Sequence, residues 1–279
     1  MSVKLIVCDI DGTLLPHTQI LSKENENAIS QALSKGIIVT IASGRSYFYA
    51  RKIHKPCKMN GPIVALNGAV VKDPILTYRD IALDSSALVP AFEFAKEHDL
   101  IFNIVEGDIT TLISVDKPEF EKLHFDMAKS FNKDLSHVKV MQYQDFLDNI
   151  ENIRANKVAL CSYDTNFLRE KRKLFDEYVT QTDIPELADI TSSYWNNFEL
   201  MPKQIDKGSG VMDLSKAYGL SYDEIMCIGD NENDISMFEK CKYSIAMGNA
   251  SSEVKKHAAY VTGNCEDNGV ANAIIKFAL

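Results

Sequence analysis

Short apolar runs that end in acids, serines or glycines recur along this chain, and they predict its core. Val3–Cys8 is almost continuously apolar and stops at Asp9, as a strand buried on both faces should. Residues 22–35 follow with helical spacing. Ser22 can cap them, Ala28, Ile29, Ala32 and Leu33 form one face, and Gly36 ends them. Ile37–Ala42 predicts a second strand, 46–53 a short helix and Ile63–Leu66 a third strand. This β-α-β-α-β order predicts a parallel sheet with helices on both faces.

The rhythm then changes. Ala69–Val71 and Ile75–Tyr78 flank Lys72-Asp73-Pro74, which predicts a hairpin. Helices are expected at 85–98, from Pro118 and over 164–179. Strands are expected at Leu100–Val105, Thr111–Val115, Val138–Tyr143 and Lys157–Ser162. After residue 200 the first rhythm returns. A helix over 208–218 stops at Gly219, and strands Ile225–Ile228 and Tyr243–Met247 enclose a short helix at Ile235–Glu239. The expected fold class is α/β: a doubly wound core of residues 1–82 and 191–279, interrupted by an α+β insert over 83–190.

Composition leaves this picture intact. The 279 residues are 46% hydrophobic and 25% charged, close to a soluble globular average. A net charge of -9 without a Lys/Arg cluster argues against nucleic acid or an anionic membrane as partner. No apolar run approaches the ~20 residues of a membrane span, and no signal peptide is evident. Six cysteines without CxxC spacing read as small buried hydrophobes in a reducing compartment, hence a cytoplasmic protein. The histidines are scattered and read as ordinary surface or packed residues. Trp195, between Tyr194 and Phe198, reads as packing rather than a ligand stack. Lys171-Arg172-Lys173 reads as a solvated helix face.

Chemistry gathers just beyond the predicted core strands, in Asp9-Ile10-Asp11-Gly12-Thr13, Ser43-Gly44-Arg45, Asn67-Gly68-Ala69 and Gly229-Asp230-Asn231-Glu232-Asn233-Asp234. Open parallel sheets bind ligands at that end. Asp9 and Asp11, two apart, can face one pocket. Converging carboxylates demand a cation, and all-oxygen donors favour Mg²⁺. An EF-hand loop fails from either acidic start, because the required Gly and Glu positions hold other residues. Metal plus carboxylates suggests phosphoryl transfer. Asp9 can be the nucleophile and Asp11 the acid and base. Ser43 and Gly44 can donate to phosphoryl oxygens, Lys207 can supply positive charge, and Asp230 can be a distal metal ligand. No P-loop, complete dinucleotide fingerprint or GxSxG elbow occurs.

Asp9-Ile10-Asp11-Gly12-Thr13, Ser43-Gly44-Arg45, Lys207-Gly208 and Gly229–Asp234 resemble the four ordered motifs of the haloacid dehalogenase superfamily. The insert and Asn67-Gly68-Ala69 resemble its Cof-type sugar-phosphate phosphatase branch. The resemblance spans the chain and implies a phosphatase for small phosphorylated metabolites, with an α/β cap that closes on the substrate. It implies that Asp9 and Asp230 ligate Mg²⁺ by side chain and Asp11 by backbone carbonyl. It further implies that the Ile10 backbone N–H and Asn233 contact phosphate, and that Asp234 supports the metal ligands from behind. A monomer or weak homo-oligomer is expected, with hinges near 80–84 and 188–193. A phosphomutase uses the same intermediate, and a non-enzymatic phospho-acceptor uses similar groups. The acid/base at Asp11 and the large insert favour turnover over a phospho-acceptor.

Overall fold

The structure, a computed structural model, describes residues 2–16, 20–115, 117–119, 121–122, 125–126, 135–192 and 196–279. In chain order, β1 (Leu5–Cys8), α1 (Lys23–Ser34), β2 (Ile38–Ile41), α2 (Tyr47–His54), β3 (Ile63–Ala65), β4 (Val70–Lys72) and β5 (Thr77–Asp80) come first. Then follow α3 (Leu88–Glu97), β6 (Ile101–Glu106), β7 (Ile109–Ser114), β8 (Val138–Gln142), α4 (Tyr143–Asp148), β9 (Lys157–Cys161), α5 (Thr165–Val179), α6 (Ile184–Leu187), β10 (Ala188–Thr191) and β11 (Asn197–Pro202). The chain ends with α7 (Lys207–Tyr218), β12 (Ile225–Gly229), α8 (Ile235–Phe238), β13 (Tyr243–Ala246), α9 (Ser252–Lys256), β14 (Tyr260–Val261) and α10 (Gly269–Phe277).

Two compact units result. One comprises Met1–Asp80 and Ile205–Leu279, the other Ile81–Gln204. In the first, a parallel sheet has the order β14-β13-β12-β1-β2. Leu5, Val7, Ile225 and Cys227 pack with Val211, Leu214, Met237 and Phe238 of α7 and α8. Helices α1 and α10 pair with one another, and Asn25 Oδ1 accepts from the Ala271 backbone N–H at 2.9 Å. The helix ends follow their capping residues. Ser22 caps α1, accepting from Asn25 N. Asp206 and Ser209 form a reciprocal box at α7, which ends at left-handed Gly219 (φ +62).

The third strand departs from expectation. β3 joins an antiparallel sheet with β4 and β5, and meets the chain beyond β2 rather than β2 itself, through an Ala42–Val64 bridge and the Ser43 N–H, which donates to the Val64 carbonyl at 2.9 Å. Asn60 and Gly61 take the Val39 backbone groups at the edge of β2, so β3 meets that edge only beyond them.

The second unit is a six-stranded sheet of order β10-β11-β9-β6-β7-β8. One face carries Phe102, Ile104, Val158, Leu160, Phe198 and Leu200 against Phe92, Phe94, Phe146 and Phe175. The second chain crossing therefore lies later than the expected 190/191 boundary. β11 pairs with both β9 and β10, which binds 191–204 to the insert. The first crossing, Asp80/Ile81, lies two residues before the expected 82/83. The helix expected from Pro118 is described only at 118–119, 121–122 and 125–126, and Tyr194 and Trp195 lie outside the described residues.

Phe175 is fully buried, with ring centroids 4.9 Å from Phe94 and 5.1 Å from Phe198. Phe175→Ala should cost about 3–5 kcal/mol by opening a cavity there. Urea denaturation followed by circular dichroism would show it as a lower midpoint.

Candidate active site

Every residue singled out for chemistry lies in the first unit, beyond the carboxyl ends of β1, β2 and β12 or at the start of α7. β1 sits between β12 and β2, so the loops that follow these strands emerge side by side. Asp9 leaves β1 with its N–H bonded to Ile228 O at 2.9 Å. Gly12 then turns the chain at φ +84, and a side chain there would run into the Asp230 carboxylate. Thr13 Oγ1 donates to Asp230 Oδ1 at 2.6 Å. This bond ties the motifs after β1 and β12 together across the sheet.

Lys207 is the centre of the site. It is the first residue of α7 and only 1% exposed, and its Nζ donates to Asp9 Oδ1 and Asp234 Oδ1, both at 2.6 Å. A side chain at Gly208 would strike the Ser236 carbonyl, so glycine lets the helix start approach closely enough to deliver the lysine. The Gly208 N–H also donates to Ser236 Oγ at 3.0 Å. Arg79 secures α7 from β5. It pairs with Asp213 at 2.7 Å and donates to Ser209 Oγ and Gly68 O.

Asp234 is fully buried, and its second oxygen accepts from the Asp230 and Asn231 backbone N–H groups at 2.8 and 3.0 Å. Both of its oxygens are therefore engaged by the protein. Asp9, Asp230 and Asp234 each place a carboxylate oxygen within 4.8 Å of the others, a group able to hold a metal ion. Among the described residues no hydrogen bond reaches Asp9 Oδ2 or Asp230 Oδ2, which leaves these oxygens for a ligand. Hard oxygen donors in a trio fit a hard divalent cation.

The carboxyl groups titrate as a set short of positive charge. Burial pushes Asp9 well above the usual carboxylate range. Lys207 opposes this, and Asp234, Asp230 and Asp11 add to it. Burial, with Asp234 next, lifts Asp230 to about 7, although the Thr13 hydrogen bond works against the rise. Burial alone would lower Lys207, but Asp234 and Asp9 outweigh it and raise its pKa.

Asp11 stands apart from the trio. Arg45 Nε donates to its Oδ2 at 2.8 Å, and Arg45 Nη2 bonds its other oxygen. Arg45 was visible in Ser43-Gly44-Arg45 but had been assigned no role. Its two-pronged fit to a carboxylate is the signal that could have found it. Ser43 is buried, its Oγ accepts from Arg45 N at 3.2 Å, and its carbonyl accepts from Asn67 N at 3.0 Å. Gly44 lies between them. Asn233 Nδ2 donates to Asn67 Oδ1 at 3.0 Å, which links a loop given no role to the β12 motif. Ile10 is fully buried, and its carbonyl accepts from Leu15 N at 2.8 Å.

A family model for haloacid dehalogenase-like hydrolases matches residues 6–274. The chain belongs to this superfamily. The chain is similar to a 5-amino-6-(5-phospho-D-ribitylamino)uracil phosphatase of Bacillus subtilis, YwtE, 31% identical over 96% of both chains. It is also similar to the B. subtilis phosphatase YwpJ, 28% identical over 97% of this chain and 98% of that one. A haloacid dehalogenase-like hydrolase from Bacteroides thetaiotaomicron superposes with a TM-score of 0.78 at 26% identity, covering 98% and 99% of the two chains. The subclass IIB sugar phosphatase BT4131 shares the fold, with a TM-score of 0.83 at 20% identity and 99% coverage of both. The protein is thus an enzyme, a haloacid dehalogenase-like hydrolase. No helix among its described residues is long and apolar enough to cross a membrane.

Two outcomes follow for this site. Lys207→Ala strands two buried carboxylates and should cost about 3–5 kcal/mol near neutral pH, read by chemical denaturation. Asp230, raised in the fold from 3.8 to about 7, keeps a proton that the unfolded chain has lost. Its contribution to stability is therefore present below pH 4 and lost as pH rises to 7. A cation bound there would displace that proton. The rise in melting temperature on adding Mg²⁺ should therefore be larger at pH 8 than at pH 6, and Asp230→Asn should abolish it.

Proposed function

We propose that this hydrolase is a Mg²⁺-dependent phosphatase, hydrolysing small phosphomonoesters through an aspartyl-phosphate on Asp9. One observation carries the reading. A buried lysine holds one oxygen of Asp9 while the other stays available, with a carboxylic acid/base candidate two residues further on. The phosphatase names of the B. subtilis relatives support the reaction, and the ribityl phosphate in one of them points to a sugar or polyol phosphate or a phosphorylated cofactor.

Asp9 Oδ2 attacks phosphorus in line with the ester oxygen. The P–O ester bond breaks, and Asp11 delivers a proton to the departing alcohol oxygen. To do so, the Asp11 side chain exchanges its Arg45 fork for the leaving oxygen. A water then attacks the acyl phosphate and gives its proton to Asp11. The bond from phosphorus to Asp9 breaks, and inorganic phosphate leaves. Lys207 stabilises Asp9 as nucleophile and as leaving carboxylate. Ser43, the Gly44 and Ile10 backbone N–H groups and Asn233 hold the phosphoryl oxygens. Asp9, Asp230 and the Asp11 carbonyl would hold Mg²⁺, with Asp234 fixing the Asp230 loop. Mg²⁺, when bound, neutralises charge on the phosphoryl oxygens.

The insert serves as the cap, and a single chain supplies all these groups. Six free cysteines, five of them buried, suit the cytoplasm. Purified protein should release inorganic phosphate from p-nitrophenyl phosphate and from a panel of phosphometabolites. EDTA should abolish this and Mg²⁺ restore it. Asp9→Asn should cost about a thousandfold or more in kcat, and Asp11→Asn about a hundredfold to ten-thousandfold. Isomerised sugar phosphate without free phosphate would assign a phosphomutase, and a phospho-Asp9 that persists would assign a phospho-acceptor.

A further inference from the structure

Asn67-Gly68-Ala69 contributes no group to the phosphoryl-transfer scheme. In the fold it follows β3 as a turn of unusual backbone. Leu66 (φ +48), Asn67 (φ +50) and Gly68 (φ +98) are all left-handed. Nowhere else among the described residues do two adjacent non-glycine residues share that region. Leucine suits it poorly, because its side chain crowds the backbone and gains no local hydrogen bond in return. Such strain persists only where surrounding contacts hold it, and it clusters at functional sites.

The contacts that hold this turn come from the motifs of the candidate site. The Leu66 N–H donates to Arg45 O at 2.9 Å, and the Asn67 N–H donates to Ser43 O at 3.0 Å. Gly68 lies against the Asp206 carbonyl, one residue before Lys207, and its own carbonyl accepts from Arg79 at 3.2 Å. Asn67 is only 2% exposed, and its Oδ1 accepts from Asn233 Nδ2 at 3.0 Å. All these residues belong to one compact unit.

The last bond constrains Asn233. Its Nδ2 carries two hydrogens. Asn67 takes one, which fixes the plane and the sense of the amide. Among the described residues the other hydrogen meets no acceptor. A right-handed Asn67 would send its N–H and its side chain elsewhere, so the left-handed turn lets one residue reach Ser43 with its backbone and Asn233 with its amide.

We propose that Asn67 is a positioning residue for phosphoryl recognition. It orients the Asn233 amide so that the second Nδ2 hydrogen is delivered to a phosphoryl oxygen, while its backbone N–H holds the Ser43 peptide. The proposal rests on the phosphatase reading for the phosphoryl group as the ligand of Asn233 and Ser43. The strain at Leu66 is what it costs to carry Asn67 into this position.

Asn67→Gly removes the amide and keeps the left-handed backbone, which glycine adopts freely. Titration calorimetry with inorganic phosphate, in the presence of Mg²⁺, compares the wild type, Asn67→Gly, Asn233→Ala and the double variant. Asn67→Gly should weaken phosphate binding about three- to tenfold, as loss of one neutral hydrogen bond would. In the Asn233→Ala background the same substitution should change the Kd by less than about twofold, because Asn67 acts through that amide. Losses that multiply, or an Asn67→Gly protein that binds phosphate as the wild type does, would overturn the proposal. NMR of the wild-type protein gives a second readout that needs no Asn67 variant. The Asn233 side-chain amide signals, assigned by their absence from Asn233→Ala, should move unequally on adding phosphate, the proton not bonded to Asn67 shifting and its twin staying in place. Equal shifts, or none, would overturn it as well. Wild-type protein that binds phosphate but hydrolyses no phosphomonoester would sink the phosphatase reading and leave the positioning role standing. Wild-type protein that binds no phosphate would sink both.

Discussion

A single buried ammonium group organises the catalytic unit. Lys207 joins Asp9, at the end of the first strand, to Asp234, in the loop after the twelfth, and lies almost wholly out of water. Burying either charge alone would be prohibitive, and burying them together is tolerable only with short, well-directed hydrogen bonds. Much of the surrounding architecture meets that requirement. The box at Asp206 and Ser209 fixes the helix start. Gly208 removes the side chain that would hold the helix away, and Arg79 clasps the helix from the neighbouring hairpin. The lysine is a consequence of the fold as much as a contributor to it.

The balance is deliberately incomplete. Three carboxylates converge against one ammonium, and the shortfall shows in the raised Asp9 and Asp230. A site built only for stability would have matched its charges. This one keeps room for more positive charge. The protein's acidity then reads differently. Asp9, Asp11, Asp230 and Asp234 are four of the 39 acids behind a formal net charge of -9, and they gather at one end of the parallel sheet. Global charge repels phosphate weakly at a distance, whereas local charge decides at contact.

The catalytic unit was legible because its signals are local. A buried strand ending in Asp-x-Asp-Gly, or a helix opening on Lys-Gly, names both its element and its place at the sheet end. Pairing between distant segments was less legible. Asn197–Pro202 reads as a strand wherever it goes, and only its ladders to β9 and β10 assign it to the insert. Likewise Ile63–Ala65 is a buried apolar run whether it extends a parallel sheet or turns into an antiparallel one, and the Asn60 and Gly61 bonds to Val39 decide between them. Arg45 was in plain view, but its role depends on a geometry with Asp11 that no spacing encodes. Thr13 is similar, since its partner lies 217 residues away.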